Sequence, residues 1–260
     1  MPHPKSNLLS YFRVLTLASL LLSAPLLKSS ENLTDFPEVN IITEQLPPYQ
    51  FIDDNNRIQG YSVELVKEIL DEAGINQSIQ LYPWARTYKL ATTRKNVIVF
   101  SLARIPDRES KFIWIGQLHE ETYNFLTAKT NKDLRIKSLD EAKKYSIAVT
   151  RSSVADHLLT RLGFEHLEKT ASFDQCIAMV IKNRIDLILA SKHAIKYRVT
   201  NSKLVLENLI SVFELKGHST GLYLAMSADS DPQLVDKLKT AFETIKSRGT
   251  IEKLKRQWEI

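Results

Sequence analysis

Short apolar runs of β character alternate with amphipathic helical stretches from Val39 to the end of this chain, and that alternation most restricts its fold. A hydrophobic period that switches repeatedly between two and 3.6 residues argues for α/β architecture and against a sandwich or a helical bundle. Residues 39–43 read as a first strand, followed by a loop containing Leu46, Pro47, Pro48 and Tyr49. Ser62 is placed to cap a helix whose apolar positions Val63, Val66, Ile69, Leu70 and Ala73 share one face, with Gly74 as its stop. The pattern then predicts a strand over residues 78–82 and, after Pro83, a helix over residues 84–93.

A second series opens where Ser138 and Glu141 have capping-box spacing at the start of a short helix. It continues as strand 145–150, helix 154–162 stopped by Gly163, a strand near Leu167, helix 173–183 and strand 185–190. The chain closes with strand 222–226 and a helix opened by Asp231 and Pro232, with Leu234, Leu238, Phe242 and Ile245 along one face. Gly249 ends that helix, and Ile251, Leu254 and Trp258 mark a final helical stretch packed on the body. Residues 123–128 and 219–222 are extended and lie where one series gives way to the other, so both are expected to cross between two lobes as a hinge.

At 260 residues the chain can form one large domain or two lobes with a well-buried core. A lone cysteine, Cys176, excludes an internal disulfide framework and a thiolate metal cluster, and its neighbours Ile177, Met179 and Val180 place it in the core. Lys5 and Arg13 precede an apolar run over residues 14–27, so residues 1–30 read as a secretory signal cut between positions 24 and 30. That run falls short of the roughly 20 apolar residues a membrane span requires, and no cysteine follows it for lipid anchoring. The mature protein is therefore expected to be secreted. The formal net charge of +5 is spread along the chain, and Lys143, Lys144, Lys253, Lys255 and Arg256 sit at helical spacing as solvated faces. No nucleic-acid partner and no cofactor are expected.

The stretch over residues 97–109 joins an apolar run to a loop with two arginines, Arg104 and Arg108. In open α/β sheets ligands sit outside the carboxyl ends of the strands, where a guanidinium forks onto a carboxylate or phosphate. Two solvated loop charges are the alternative reading.

Several segments carry a family resemblance in their order and spacing: Pro47 to Phe51, Gly60 to Glu64, Pro83 to Arg86, Ile105 to Glu109 and Phe112 to Gly116. The chain resembles a bacterial periplasmic solute-binding protein of family 3, the amino-acid-binding type, which is related to the ligand-binding lobes of membrane-bound lytic transglycosylases. The resemblance implies a two-lobed periplasmic binding protein fold (type II), with the ligand cleft between lobes joined by two hinge crossings. Lobe 1 would comprise residues 36–126 and 220–260, and lobe 2 residues 127–219.

The resemblance also implies site residues. Arg108 matches the arginine that holds the ligand carboxylate, with Arg104 as a second donor. Ala103 and Ile105 occupy positions where the family carries hydroxyls, which leaves Ser101 as the nearest one. Ser152 and Ser153 match a turn at a helix N-terminus that meets the same carboxylate. Ser191 stands where an acid would pair with a ligand ammonium, and Glu44 is the nearest substitute. Tyr49, Trp84 and Tyr88 are aromatic candidates for the cleft wall, and Arg86 is placed facing the cleft. The implied function is capture of a small carboxylate-bearing or amino-acid-like ligand by lobe closure, as a monomer serving an ABC permease or a membrane sensor. The alternative is a dehydratase-like enzyme on the same scaffold, for which Glu44, Glu109 and His119 are available as acid or base. No nucleophile elbow, metal-ligand pair or phosphate loop supports an enzyme, and the chain is read as a non-enzyme.

Overall fold

A computed structural model describes residues 38–201 and 208–260, so the expected secretory signal lies outside the described residues. The first series comprises β1 (Asn40–Thr43), the hairpin of β2 (Phe51–Ile52) and β3 (Ile58–Gln59), and α1 (Tyr61–Glu72). It continues through β4 (Ile79–Leu81), α2 (Trp84–Thr93) and β5 (Val97–Ala103) to a 3₁₀ turn over Pro106–Lys111. A long strand β6 (Phe112–Ala128) leads into the second series of α3 (Leu139–Ala142), β7 (Ile147–Thr150), α4 (Val154–Arg161) and β8 (Leu167–Thr170). Then follow α5 (Phe173–Ile181), β9 (Leu187–Ser191) and α6 (Lys192–Asn201), after which a second long strand, β10 (Leu209–Ser227), returns to α7 (Pro232–Ser247) and α8 (Thr250–Trp258).

Among the described residues, eight strands form one mixed sheet in the order β4-β1-β5-β10-β6-β9-β7-β8. At each end lies a parallel trio, β4-β1-β5 and β9-β7-β8, and the antiparallel ribbon of β10 and β6 joins them. This is the two-lobed type II arrangement, with both crossings supplied by the ribbon. Along it Leu215 pairs with Tyr123 and Thr220 with Glu121, so residues 216–219 bulge out of register. Gly217 supplies the left-handed backbone, φ 76°, that this bulge uses.

The apolar periodicity explains what each element buries. Val63, Val66, Ile69 and Leu70 of α1 pack with Ile41, Ile98, Leu224, Leu238 and Phe242 in one core. A second core gathers Phe125, Ile147, Val149, Leu158, Leu159 and Leu187, and a third places Cys176 with Ile177, Val180 and Ile188. Cys176 is a buried free thiol, as its neighbours implied. Val97, Val99 and Leu102 turn to the opposite face of the sheet, against Ala91 and Phe112.

Three local expectations are corrected. Ser62 does not cap α1: its N–H and that of Val63 donate to the Tyr49 carbonyl, Tyr61 donates to Pro48, and Gly60 is the residue at the cap. Gly60 has φ 129°, and a Cβ there would overlap the Tyr49 carbonyl oxygen, so the tight approach of loop to helix requires glycine. The expected strand 222–226 is the end of a strand nineteen residues long, and the expected hinge segment 123–128 is the end of one seventeen residues long. Polar residues interrupt both apolar runs, yet backbone pairing continues through them. Ser138, by contrast, caps α3 as read, accepting from the Glu141 N–H.

Candidate functional site

The carboxyl ends of the parallel strands from both trios converge on one cavity of about 500 Å³. Glu44 follows β1, Tyr82 to Trp84 follow β4, and Ser101 and Ala103 end β5. From the other trio come Thr150 at the end of β7 and Ser153 after it, Ala171 to Asp174 after β8, and Ala190 and Ser191 at the end of β9. Glu121 and Tyr123 of β6 form the wall where the lobes join. The volume lies within the roughly 300–1,000 Å³ typical of small-molecule sites.

Arg108 reaches this cavity because the 3₁₀ turn folds it inward, leaving it 1% exposed. Its Nη1 donates to the Ala103 carbonyl at 3.2 Å and its Nη2 to the Ser152 carbonyl at 3.0 Å. The guanidinium lies 4.8 Å from the Trp84 ring centre and 5.4 Å from that of Tyr88. Its Nε–H is buried without a partner. A guanidinium carries five N–H donors, so these bonds leave donors for an anion. Burial pulls the Arg108 pKa down, while Tyr88 and Glu44 oppose that shift.

Three carboxyls share the cavity wall with this one guanidinium: Glu44, Glu121 and Asp174. Glu44 is partly open to the cavity but enclosed by its walls, and that enclosure raises its pKa to about 7 against the pull of Arg108. Glu121 is 2% exposed and its oxygens make no well-formed hydrogen bond, with the Ser191 hydroxyl as a weak neighbouring donor. Burial raises its pKa to about 8, with the Ser191 hydroxyl opposing. Behind it His119 is lowered to about 3 by burial, with His193 and Lys255 adding to the effect, and His193 is lowered by burial beside Lys192 and Lys196.

The N-terminus of α4 faces the same space. Ser153 caps it by accepting from the Asp156 N–H, and Val154 and Ala155, first-turn residues without intrahelical acceptors for their N–H groups, border the cavity. Ser152 turns away with φ 57°, donates its N–H to Asp156 and offers its carbonyl both to Arg108 and to Trp84 Nε1, at 3.1 Å. Asp107 and His157 add a further contact between the same two segments at 2.7 Å.

Of the side chains nominated from sequence, Arg108, Ser101, Ser153, Trp84, Glu44 and Ser191 line the cavity. Ser101 does so from a strand end bent by φ 54°, with its hydroxyl held by Gln50 at 2.7 Å and Ser62 at 2.9 Å. Ser191 accepts from the Ala194 N–H. Five of the nominated side chains lie off the cavity wall. Arg104 pairs with Glu109 outside the wall and lies over Trp114 and Tyr223. Arg86 is exposed over the Tyr82 ring, because the two-residue step from Trp84 to Arg86, about 200° of helix rotation, carries it to the other side of α2. Tyr49 is fully buried against Tyr61 and His119, and the Ser152 side chain does not line the wall. Tyr88 lies beneath Arg108 rather than on the wall.

Sequence reasoning missed Glu121, Tyr123 and Asp174. A signal for the first two exists: along β6 His119, Glu121, Tyr123 and Phe125 are buried while Glu120 and Thr122 are exposed, a period of two that marks one face.

Residues 39–259 match the bacterial extracellular solute-binding proteins, family 3, and the chain belongs to that family. It is similar to the L-cystine-binding protein TcyA of Bacillus subtilis (strain 168), 24% identical over 213 residues, 81% of this chain and 76% of that protein. Its fold is similar to a histidine kinase sensor domain with similarity to periplasmic binding proteins, at TM-score 0.76 and 16% identity over 85% of this chain and 95% of that one. It is also similar to AncCDT-1, an ancestral amino acid-binding protein described as a precursor of cyclohexadienyl dehydratase, at TM-score 0.70 and 20% identity over 85% and 94%. No helix among the described residues is long and apolar enough to cross a membrane.

Proposed function

We propose that the protein captures a small solute bearing both a carboxylate and an amine, of the amino-acid type, between its lobes. The observation that carries this reading is the pairing of one buried guanidinium, Arg108, with three carboxyls on a single cavity wall. Arg108 and the first-turn N–H groups of α4 take the carboxylate. Glu44, close enough to Arg108 to feel its charge, takes the amine in place of the acid missing at Ser191. The cystine-binding role in the name of TcyA supports the same solute class.

The expected lobes are residues 36–126 with 220–260 and residues 127–219, and the packing favours an earlier first crossing, at Glu121 to Tyr123. Leu118 belongs to the first core and Tyr123 to the second. Closure brings both lobes onto one solute, and the closed form is what an ABC permease reads in the periplasm. Binding without turnover is supported by the fate of two acid–base candidates: Glu109 is paired outside the cavity, and His119 lies behind its wall.

A thermal-shift screen of the common L-amino acids, L-cystine, dipeptides and keto acids tests the reading, because a ligand that binds only the native state raises its apparent stability. At least one amine-bearing carboxylate is expected to raise Tm. Stabilisation by amine-free carboxylates alone would overturn the assignment of Glu44.

A further inference from the structure

His119, Glu121 and His193 bring one potential ligand atom each to within 4.8 Å of one another. His119 and Glu121 alternate on the inward face of β6, and His193 is the second residue of α6, which follows directly on β9, the strand paired with β6. His119 Nε2 stands 3.9 Å from Glu121 Oε1, and the two imidazole rings meet edge to face at 4.9 Å between centres. His119 Nε2, His193 Nδ1 and both oxygens of Glu121 are buried and make no well-formed hydrogen bond.

We propose that these three side chains form a site for a divalent transition-metal ion of the zinc type. Buried polar atoms left unpaired are costly, and the three ligand atoms that lie within 4.8 Å of one another are together satisfied by a cation that accepts their lone pairs. Two imidazoles and a carboxylate are the donor set of zinc and its borderline neighbours, whereas calcium and magnesium take oxygen. With metal–ligand distances of about 2.0–2.2 Å, tetrahedral donors stand about 3.4 Å apart, so the cluster closes by roughly an ångström of side-chain rotation. Three protein ligands leave a fourth position open. Glu121 lines the cavity, so that position is reached by water or by a donor atom of a bound solute. The site is independent of the role given to Arg108, with which it shares no ligand.

The test uses protein stripped with a chelator and titrated with Zn(II), then Co(II), in buffer free of amino acids. One equivalent of either ion is expected to bind, with Zn(II) raising Tm, Co(II) giving a visible d–d absorption, and both His119 and His193 imidazole resonances shifting on Zn(II) addition. Glu121→Gln and His193→Ala are each expected to weaken binding at least tenfold, and Arg108→Ala to leave it unchanged. Saturation at no defined stoichiometry, imidazole resonances that do not move, or unaltered affinity in the folded Glu121→Gln/His193→Ala double variant would overturn the proposal. Loss of amino-acid binding in Arg108→Ala with retained Zn(II) binding separates this site from the carboxylate site.

Discussion

Arg108 Nη2 donates to the Ser152 carbonyl oxygen at 3.0 Å, joining residues 44 positions apart, one from the turn after β5 and the other from the turn after β7. Trp84 Nε1 donates to the same oxygen at 3.1 Å. The group proposed to hold the solute carboxylate thus also fastens the second lobe's turn. Binding and closure share a side chain, which is how a small ligand biases an open–closed equilibrium.

Removing the indole donor while keeping an aromatic wall isolates the fastening. Trp84→Phe loses one hydrogen bond to Ser152, worth about 0.5–1.5 kcal/mol net. Solute affinity is expected to fall by about 2- to 12-fold, and the radius of gyration from small-angle scattering of the ligand-free protein to rise. An unchanged radius would place the closing force elsewhere.

The pH dependence follows from Glu44, whose pKa is raised to about 7. A ligand ammonium favours the ionised carboxylate, so below pH 7 the site must release a proton to bind. Affinity for an amine-bearing solute is expected to weaken by up to about tenfold per pH unit below 7, with proton uptake by buffer visible in calorimetry. Glu121, Asp174 and Arg108 share the cavity, so Glu44→Gln is the control, and it is expected to flatten the profile.

Gly60 holds the loop of Pro48 and Tyr49 against the start of α1 with φ 129°. Gly60→Ala imposes a backbone conformation that costs about 1–3 kcal/mol for a side-chain-bearing residue, plus overlap with the Tyr49 carbonyl. Urea denaturation is expected to show a loss of at least about 2 kcal/mol. Because Gln50 and Ser62 of this region hold the Ser101 hydroxyl, solute binding is expected to weaken as well.

The order of strands and helices was legible because local period carries it: α1, α2 and α7 show their buried faces in the spacing of Val63, Val66 and Ile69, of Thr87 and Ala91, and of Leu234, Leu238 and Phe242. The lengths of β6 and β10 were not, since Gln117, Glu120 and Lys216 break the apolar signal while the backbone ladder continues. Arg108 is nominated by its motif, and the fold brings it to the cavity wall. Tyr49 and Arg86 were misplaced because the cavity-facing side of a loop or helix start depends on packing that a motif does not encode. Glu121 was overlooked for a related reason. A carboxylate between Glu120 and Thr122 looks solvated until the lobe junction closes over it.

Calorimetry of Arg108→Ala against the unaltered protein, using the amino acid that gives the largest thermal shift, tests the proposed role of Arg108 most directly. Loss of a charge-assisted, forked contact of about 2–5 kcal/mol corresponds to an affinity lower by a factor of about 30 to several thousand. That loss is expected with the circular dichroism spectrum unchanged. A folded Arg108→Ala protein that binds the same amino acid with undiminished affinity would contradict the assignment.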